Sequence, residues 1–176
     1  MRHLRYNVAM SLDGYIADSL ERFDWIPDDD TVDFAGLFAR VDTFVLGRRT
    51  YEAVLANDEP PWQPGMRVYV VSRTLPAGPH QGVSIVRDDP VALADSLRHE
   101  SGDGEIWLFG GGQLFAALLA AGQVDTVEIT VVPVLLGSGV PVVTSLPERT
   151  PLDLIHSHVY PSGMVALHYS VPGATG

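Results

Sequence analysis

The sequence predicts an α/β domain with a mostly parallel central sheet, flanking helices and an antiparallel C-terminal hairpin. Short β-branched segments alternate with helical ones over residues 4–132, which is the pattern of a parallel sheet with crossover helices. The last two strand-like segments are separated only by Pro161-Ser162-Gly163, a hairpin turn. The chain has 176 residues, 46% of them hydrophobic and 19% charged, enough to close a core without staples. It shows no internal repeat, and its Pro/Gly-rich stretches (59–65 and 76–82) are loop-sized, so one domain over residues 1–176 is expected.

The elements follow in order. Residues 4–10 read as a strand. Val32, Phe34, Ala35, Leu37 and Phe38 fall at helical spacing and predict a first helix over 30–40. Residues 43–46 form a short β-branched and aromatic strand, followed by a short helix over 49–55. Two further strands are expected at 68–71 and 83–86. Pro90 and Gly102 frame a helix across 91–100. A strand at 106–109 precedes a helix over 113–121 that Gly122 closes. Residues 127–132 are near-continuous β-formers, as in a strand buried on both faces. Residues 152–160 and 164–171 complete the hairpin.

Composition narrows the function classes. The chain has no cysteine, which removes disulfides, thiolate nucleophiles and cysteine-ligated metals. A formal charge of −11 opposes association with a nucleic-acid backbone. The longest apolar runs, 114–121 and 131–136, are too short to span a bilayer, and the first residues lack a signal-like apolar stretch. A cytoplasmic protein acting on a small molecule, with neither nucleic acid nor membrane as partner, is expected. His3, His80, His99, His156, His158 and His168 show no metal-ligand grouping; His156 and His158 share a strand face but lack a third ligand.

Ligands of such sheets gather at the carboxyl ends of the strands, and three of those junctions stand out. Gly47-Arg48-Arg49-Thr50 joins a tight turn to a helix start. The helix dipole disfavours arginine there, so two arginines point to an anionic guest or to a plain exposed turn. In Val71-Ser72-Arg73-Thr74, two hydroxyls flank one arginine, a set suited to a second phosphate. Phe109-Gly110-Gly111-Gly112-Gln113 places three glycines before a helix, where a backbone can approach a pyrophosphate closely. The spacing is not that of the dinucleotide-binding Gly-x-Gly-x-x-Gly fingerprint, and no P-loop lysine is present.

Those motifs carry a resemblance. Ala9-Met10-Ser11-Leu12-Asp13-Gly14-Tyr15-Ile16-Ala17, then Leu46-Gly47-Arg48-Arg49-Thr50-Tyr51, Ser72-Arg73 and Phe109-Gly110-Gly111-Gly112-Gln113-Leu114 resemble, in order and spacing, the dihydrofolate reductase superfamily. The chain looks most like the branch typified by the reductase domain of the bifunctional riboflavin-biosynthesis deaminase-reductase. Val132-Pro133 and Leu136-Gly137-Ser138-Gly139-Val140-Pro141 fit that branch too, and the similarity runs over residues 4–170. The resemblance implies a dihydrofolate-reductase-like three-layer fold and an NADPH site. Gly47, Arg48, Arg49 and Thr50 would face the cofactor's phosphates, with Ser72 and Arg73 near its adenosine end. Phe109, Gly110, Gly111, Gly112, Gln113 and Leu114 would form the pyrophosphate loop, with a cis peptide at Gly110-Gly111. Ala9 would lie beside the nicotinamide.

The resemblance also frames the substrate side. A carboxylate on the first helix with an aromatic residue one turn later matches Asp30 and Phe34. Asp30 could hold the N–C–N edge of a heterocycle and relay a proton, although the crowded Asp28, Asp29, Asp30 and Asp33 also suit helix capping. Asp13 is the rival proton donor, and aspartate before glycine is also turn chemistry. Trp25 could wall the pocket. No cytidine-deaminase-like zinc module is seen, so one reductive step is expected and not both steps of the riboflavin route. The expectation is a stand-alone NADPH-dependent reductase acting on a C=N or C=O group of a heterocyclic or sugar-derived substrate. A non-catalytic dinucleotide-binding protein and an enzyme holding another phosphorylated ligand are the alternatives. By family analogy a homodimer is expected, with the apolar 127–143 stretch serving as interface or as core.

Overall fold

The computed structural model describes residues 1–56 and 60–173. The first half of the chain holds β1 (Leu4–Ser11), β2 (Tyr15–Asp18), α1 (Phe34–Phe38), β3 (Val41–Gly47), α2 (Arg48–Ala56) and β4 (Arg67–Val71). Then come β5 (Gly78–His80), β6 (Val83–Val86), α3 (Pro90–His99), β7 (Glu105–Gly110) and α4 (Gly112–Ala120). The last elements are β8 (Thr126–Val132), β9 (Gly139–Pro141), β10 (Asp153–Val159) and β11 (Val165–Ser170). Nine strands form one sheet in the order β10-β11-β8-β1-β7-β3-β4-β6-β5. Neighbours from β8 through β6 run parallel, while β5, β11 and β10 each pair antiparallel. The expected architecture, a mostly parallel sheet with a C-terminal hairpin, is the one observed.

Strand pleating sends alternate residues to opposite faces, and the two faces differ in chemistry. On one face Leu4, Tyr6, Ile106, Leu108, Val127 and Ile129 pack with Leu97, Phe115 and Leu118 of α3 and α4. Tyr6 stacks on Phe115 with ring centroids 3.8 Å apart. Burial pushes its phenol pKa far above the usual range, so it stays neutral and donates to the Val142 carbonyl at 3.0 Å. On the other face an aromatic cluster of Phe44, Tyr51 and Trp107 collects Phe38, Trp62 and Phe109, beneath α1 and α2. Beyond β1 that second face turns polar, with Arg5, Asn7, Glu128 and His168 on adjacent strands.

Several expectations need correction. The first helix does not span 30–40; α1 covers only Phe34–Phe38. The Asp33 carboxylate caps it by accepting from Gly36 N at 2.8 Å. Asp29 accepts from Thr31 N at 3.0 Å, so short polar side chains hold the acidic run in turns instead of helix. The stretch over 76–82 is not all loop, because β5 forms the sheet edge there. Of the loop expected over 59–65, Glu59 lies outside the described residues. A two-stranded sheet of β2 and β9, not expected from the sequence, lies apart from the main sheet. It depends on Gly139, since a Cβ there would collide with the Ala17 carbonyl. Of the 127–143 stretch, β8 lies inside the sheet between β1 and β11, with Val127 and Ile129 in the core. Among the described residues no helix is long and apolar enough to cross a membrane.

Candidate functional site

The β3, β4, β6 and β7 ends meet at a cleft of about 1560 Å³ on the α1/α2 face, which continues over β1 and β8 to β11. It is lined by Ala9, Gly47, Arg48, Arg49, Thr50, Ser72, Arg73, Phe109, Gly111, Gly112, Gln113 and Leu114. The three junctions singled out in the sequence therefore open on one cavity.

At the first junction β3 runs through Gly47 directly into α2. Leu46 sits in register with Gly110 of β7, so Gly47 lies against the Gly110-Gly111 peptide, which is cis. The Thr50 hydroxyl packs over the same peptide, 3.4 Å from where a Gly111 Cβ would be. Each neighbouring glycine has its own reason. Gly110 has φ +130°, a conformation that side chains rarely adopt. A Cβ on Gly112 would lie 2.5 Å from the Pro141 carbonyl oxygen, so backbone and backbone meet there. Helices α1 and α3 are capped by Asp33 and Asp89, whereas α4 has Gly111 at its N-cap and no side-chain cap. Its first N–H groups belong to residues that line the cleft, an arrangement that suits an anion. The arginines beside them are neutralised: Arg48 pairs with Glu52 at 2.7 Å and Arg49 with Glu21.

At the second junction the Ser72 hydroxyl accepts from Thr74 N at 3.2 Å and Leu75 N at 3.0 Å, so it builds the turn that presents Arg73 and Thr74. Arg87 donates to the Arg73 carbonyl at 2.9 Å and lines the same end of the cleft. Among the described residues the Arg73 guanidinium has no ion-pair partner. Arg87 was missed in the sequence because it follows β6, a strand whose end carries no motif.

The far end departs from expectation. Phe34 lines the cleft, exposed, on α1. Asp30 does not line it; it is exposed and precedes the helix that was to carry it. Asp13 does not line it either. Its carboxylate accepts from Ser11 Oγ at 2.7 Å, Gly137 N at 2.7 Å and Leu136 N at 3.1 Å, tying two loops together. The Ser11 hydroxyl foremost, and those amides, hold the Asp13 carboxyl below its usual range, the opposite of what a proton donor needs. Trp25 also lies off the cleft and donates its indole N–H to the Arg22 carbonyl at 3.1 Å.

In their place the cleft floor is made by Asn7, Glu128, Thr130 and His168, flanked by Trp107. Glu128, 4% exposed, pairs with buried Arg5 at 2.6 Å and accepts from Asn7 Nδ2 at 2.7 Å. The signal for these residues was present. A carboxylate inside a run of β-formers, and Asn7 between Tyr6 and Val8, mark a polar face that periodicity alone would place opposite the core. Asp29 bridges the cleft mouth by accepting from Ser162 N of the β10–β11 turn at 3.1 Å. Among the described residues no cluster of His, Asp or Glu is arranged to hold a metal.

Comparison with known proteins gives a consistent family. A structure of a Shewanella sp. PV-4 protein named for riboflavin biosynthesis superposes with a TM-score of 0.83 at 32% identity, covering 97% of this chain and 99% of that one. The Thermotoga maritima diaminohydroxyphosphoribosylaminopyrimidine deaminase/5-amino-6-(5-phosphoribosylamino)uracil reductase shares the fold with a TM-score of 0.71 at 17% identity. This chain matches 56% of that longer protein. Among sequence relatives, the uncharacterised Bacillus subtilis protein YwjB is 31% identical over 92% of this chain and 94% of its own length. YyaP from the same organism, also uncharacterised, is 26% identical over 96% of this chain and 94% of its own. The family model of the RibD C-terminal domain matches residues 2–166, and the chain belongs to that family.

Proposed function

We propose that this protein is an NADPH-dependent reductase that delivers hydride to a C=N or C=O group of a small heterocyclic or sugar-derived substrate. The observation that carries this reading is the convergence of the three junctions on one cleft. An uncapped helix start, bare glycine backbone and the Arg73/Arg87 end are a donor set that fits a dinucleotide's phosphates. Gly111 to Leu114 and Thr50 would hold the pyrophosphate. Arg73, Thr74 and Arg87 would hold the phosphate at the adenosine end, which distinguishes NADPH from NADH. Arg48 and Arg49 would exchange Glu52 and Glu21 for phosphate oxygens as the cofactor enters. Ala9 on β1, beside Thr130 in register, would support the nicotinamide. NADPH, when bound, supplies the hydride, and the protein supplies orientation and exclusion of water.

The test is a titration with NADPH and NADH, read by quenching of tryptophan fluorescence from Trp107, which lines the cleft. Saturable NADPH binding with NADH at least about tenfold weaker, or 1.4 kcal/mol, is expected. Equal affinity would remove the Arg73/Arg87 assignment, and no binding of either would end the reductase reading. Binding without NADPH oxidation across carbonyl, pteridine and aminopyrimidine substrates would leave a dinucleotide-binding protein. A homodimer is part of the proposal, supported by edge strand β10, which leaves Leu154, Ile155 and Val159 57–68% exposed. Light scattering at the monomer mass would remove it.

A further inference from the structure

The cleft has two chemically different ends. Arg73 and Arg87 follow β4 and β6, whereas Glu128 and His168 stand on β8 and β11. Strand β4 lies four places from β8 in the sheet, roughly 19 Å at the usual strand spacing. Around the first end and the middle, among the described residues, Arg48 pairs with Glu52 and Arg49 with Glu21, while Arg73 and Arg87 face Asp88 and Asp89, and Asp89 is spent capping α3. At the other end the balance reverses. Among the described residues Asp28, Asp29 and Asp33 face this end, Asp33 also capping α1, with one arginine, Arg40, which lies 3.8 Å from Glu105. Glu128, 4% exposed, and Arg5, 3% exposed, are paired at 2.6 Å and offset each other beneath the floor.

The floor of this acidic end carries neutral recognition groups. Because Asn7 Nδ2 donates to the Glu128 carboxylate, the amide orientation is set and Oδ1 remains an acceptor. Thr130 adds a hydroxyl and His168 an imidazole. His168 is desolvated, which lowers its pKa despite Glu128 at 4.0 Å, so the ring is uncharged at neutral pH. Phe38 and Phe109, partly buried, form a wall backed by Trp107, which is 5% exposed and lies 5.5 Å from Phe38 and 5.3 Å from Phe109 by ring centroids. Phe34 adds an exposed ring at the rim. Flat π-faces with amide-like donors and acceptors suit a heteroaromatic ring with a lactam or ureide edge. A dianionic phosphate brought to this end would meet several carboxylates and one partnered arginine.

We propose that the substrate end of the cleft takes a flat, phosphate-free heteroaromatic ring, bound by its lactam or ureide edge to Asn7, Thr130 and His168 and stacked against the aromatic wall. This deepens the reductase reading and rests on it: with the phosphates at the Arg73/Arg87 end and the nicotinamide at Ala9, the end at β8 and β11 is left for the substrate. It separates this protein from the Thermotoga maritima enzyme, whose name carries a phosphoribosyl substrate.

The test uses a matched pair, 5-amino-6-ribosylaminouracil and its 5′-phosphate, which share one ring and differ by the phosphate. Both are titrated calorimetrically into the free protein and into protein saturated with NADP⁺. The phosphate-free ligand is expected to bind at least tenfold more tightly, and Asp28→Asn to narrow the gap by relieving repulsion of the phosphate. Asn7→Leu is expected to abolish ring binding while NADPH binding persists, with His168→Gln weakening the ring less. Equal or tighter binding of the phosphate, or no binding of either ligand, overturns the proposal. Failure of NADPH to bind is read separately by fluorescence and counts against the reductase reading, since titration of the free protein still reports on the ring.

Discussion

The two faces of the central sheet are built from the same strands yet serve different ends. Along β1, Leu4 and Tyr6 enter the core under α3 and α4, while Arg5, Asn7 and Ala9 look toward the cleft side. Strand β8 repeats the division, with Val127 and Ile129 in the core and Glu128 and Thr130 at the cleft. One face is closed by two helices and needs only apolar fit. The other is half covered, by the short α1 and by α2, and keeps charged groups in place through specific pairs. Stability and recognition are therefore separable by strand phase, and substitutions on the two faces should separate them experimentally.

The largest effect is expected on the apolar face. Leu118→Ala, at a fully buried position on α4, should cost about 2–5 kcal/mol in urea unfolding while NADPH affinity stays unchanged. If affinity fell with stability, the faces would not be independent. Across the sheet, Glu128→Ala should cost about 3 kcal/mol by leaving the Arg5 guanidinium with Glu105 alone, and it should also release Asn7. Unlike the first variant, it should abolish binding of the ring ligand.

Gly112→Ala tests where the faces join, because its Cβ would press on the Pro141 carbonyl. A stability loss of about 1–3 kcal/mol, with NADPH binding lost as the loop shifts, is the expected result. Arg73→Ala should leave the unfolding midpoint within about 0.5 kcal/mol of the parent, because the side chain is exposed. It should weaken NADPH about tenfold and NADH hardly at all. The smallest effect concerns the mouth. Hydrogen bonds from Ser162 and then Thr31 hold the Asp29 carboxyl well below its usual range. A depressed folded pKa means that the latch is intact above the ordinary carboxylate range and lost as pH falls through the lower, folded value. Amide exchange at Ser162 should stay slow through the range in which free aspartates protonate and accelerate only in stronger acid. Acceleration already near an ordinary aspartate pKa would show that the latch does not form.

The sequence alone determined the alternation of elements, the C-terminal hairpin and the three glycine- and arginine-bearing junctions. These are local matters: β-branched runs, a Pro90 start, a Gly122 stop with φ +68°, and glycines at strand ends. The family likeness was legible for the same reason, since its motifs are contiguous. Tertiary structure decided the rest. Helix α1 is shorter than its sequence predicts because the apolar spacing of 32–38 matches a helix, while competition from Asp29, Thr31 and Asp33 side chains for backbone groups is decided by geometry. Strands β2 and β9 are too short to show a period, and they form by pairing across more than a hundred residues. Asp30 and Asp13 looked chemical by position along the chain, but one faces solvent and the other is occupied by the amides of Leu136 and Gly137. Asn7, Glu128 and His168 lie far apart in sequence, so the strand phase of each marks a polar face but not a shared site. They become one floor because β1, β8 and β11 are hydrogen-bonded neighbours in register, and only the folded sheet brings their side chains to the same face.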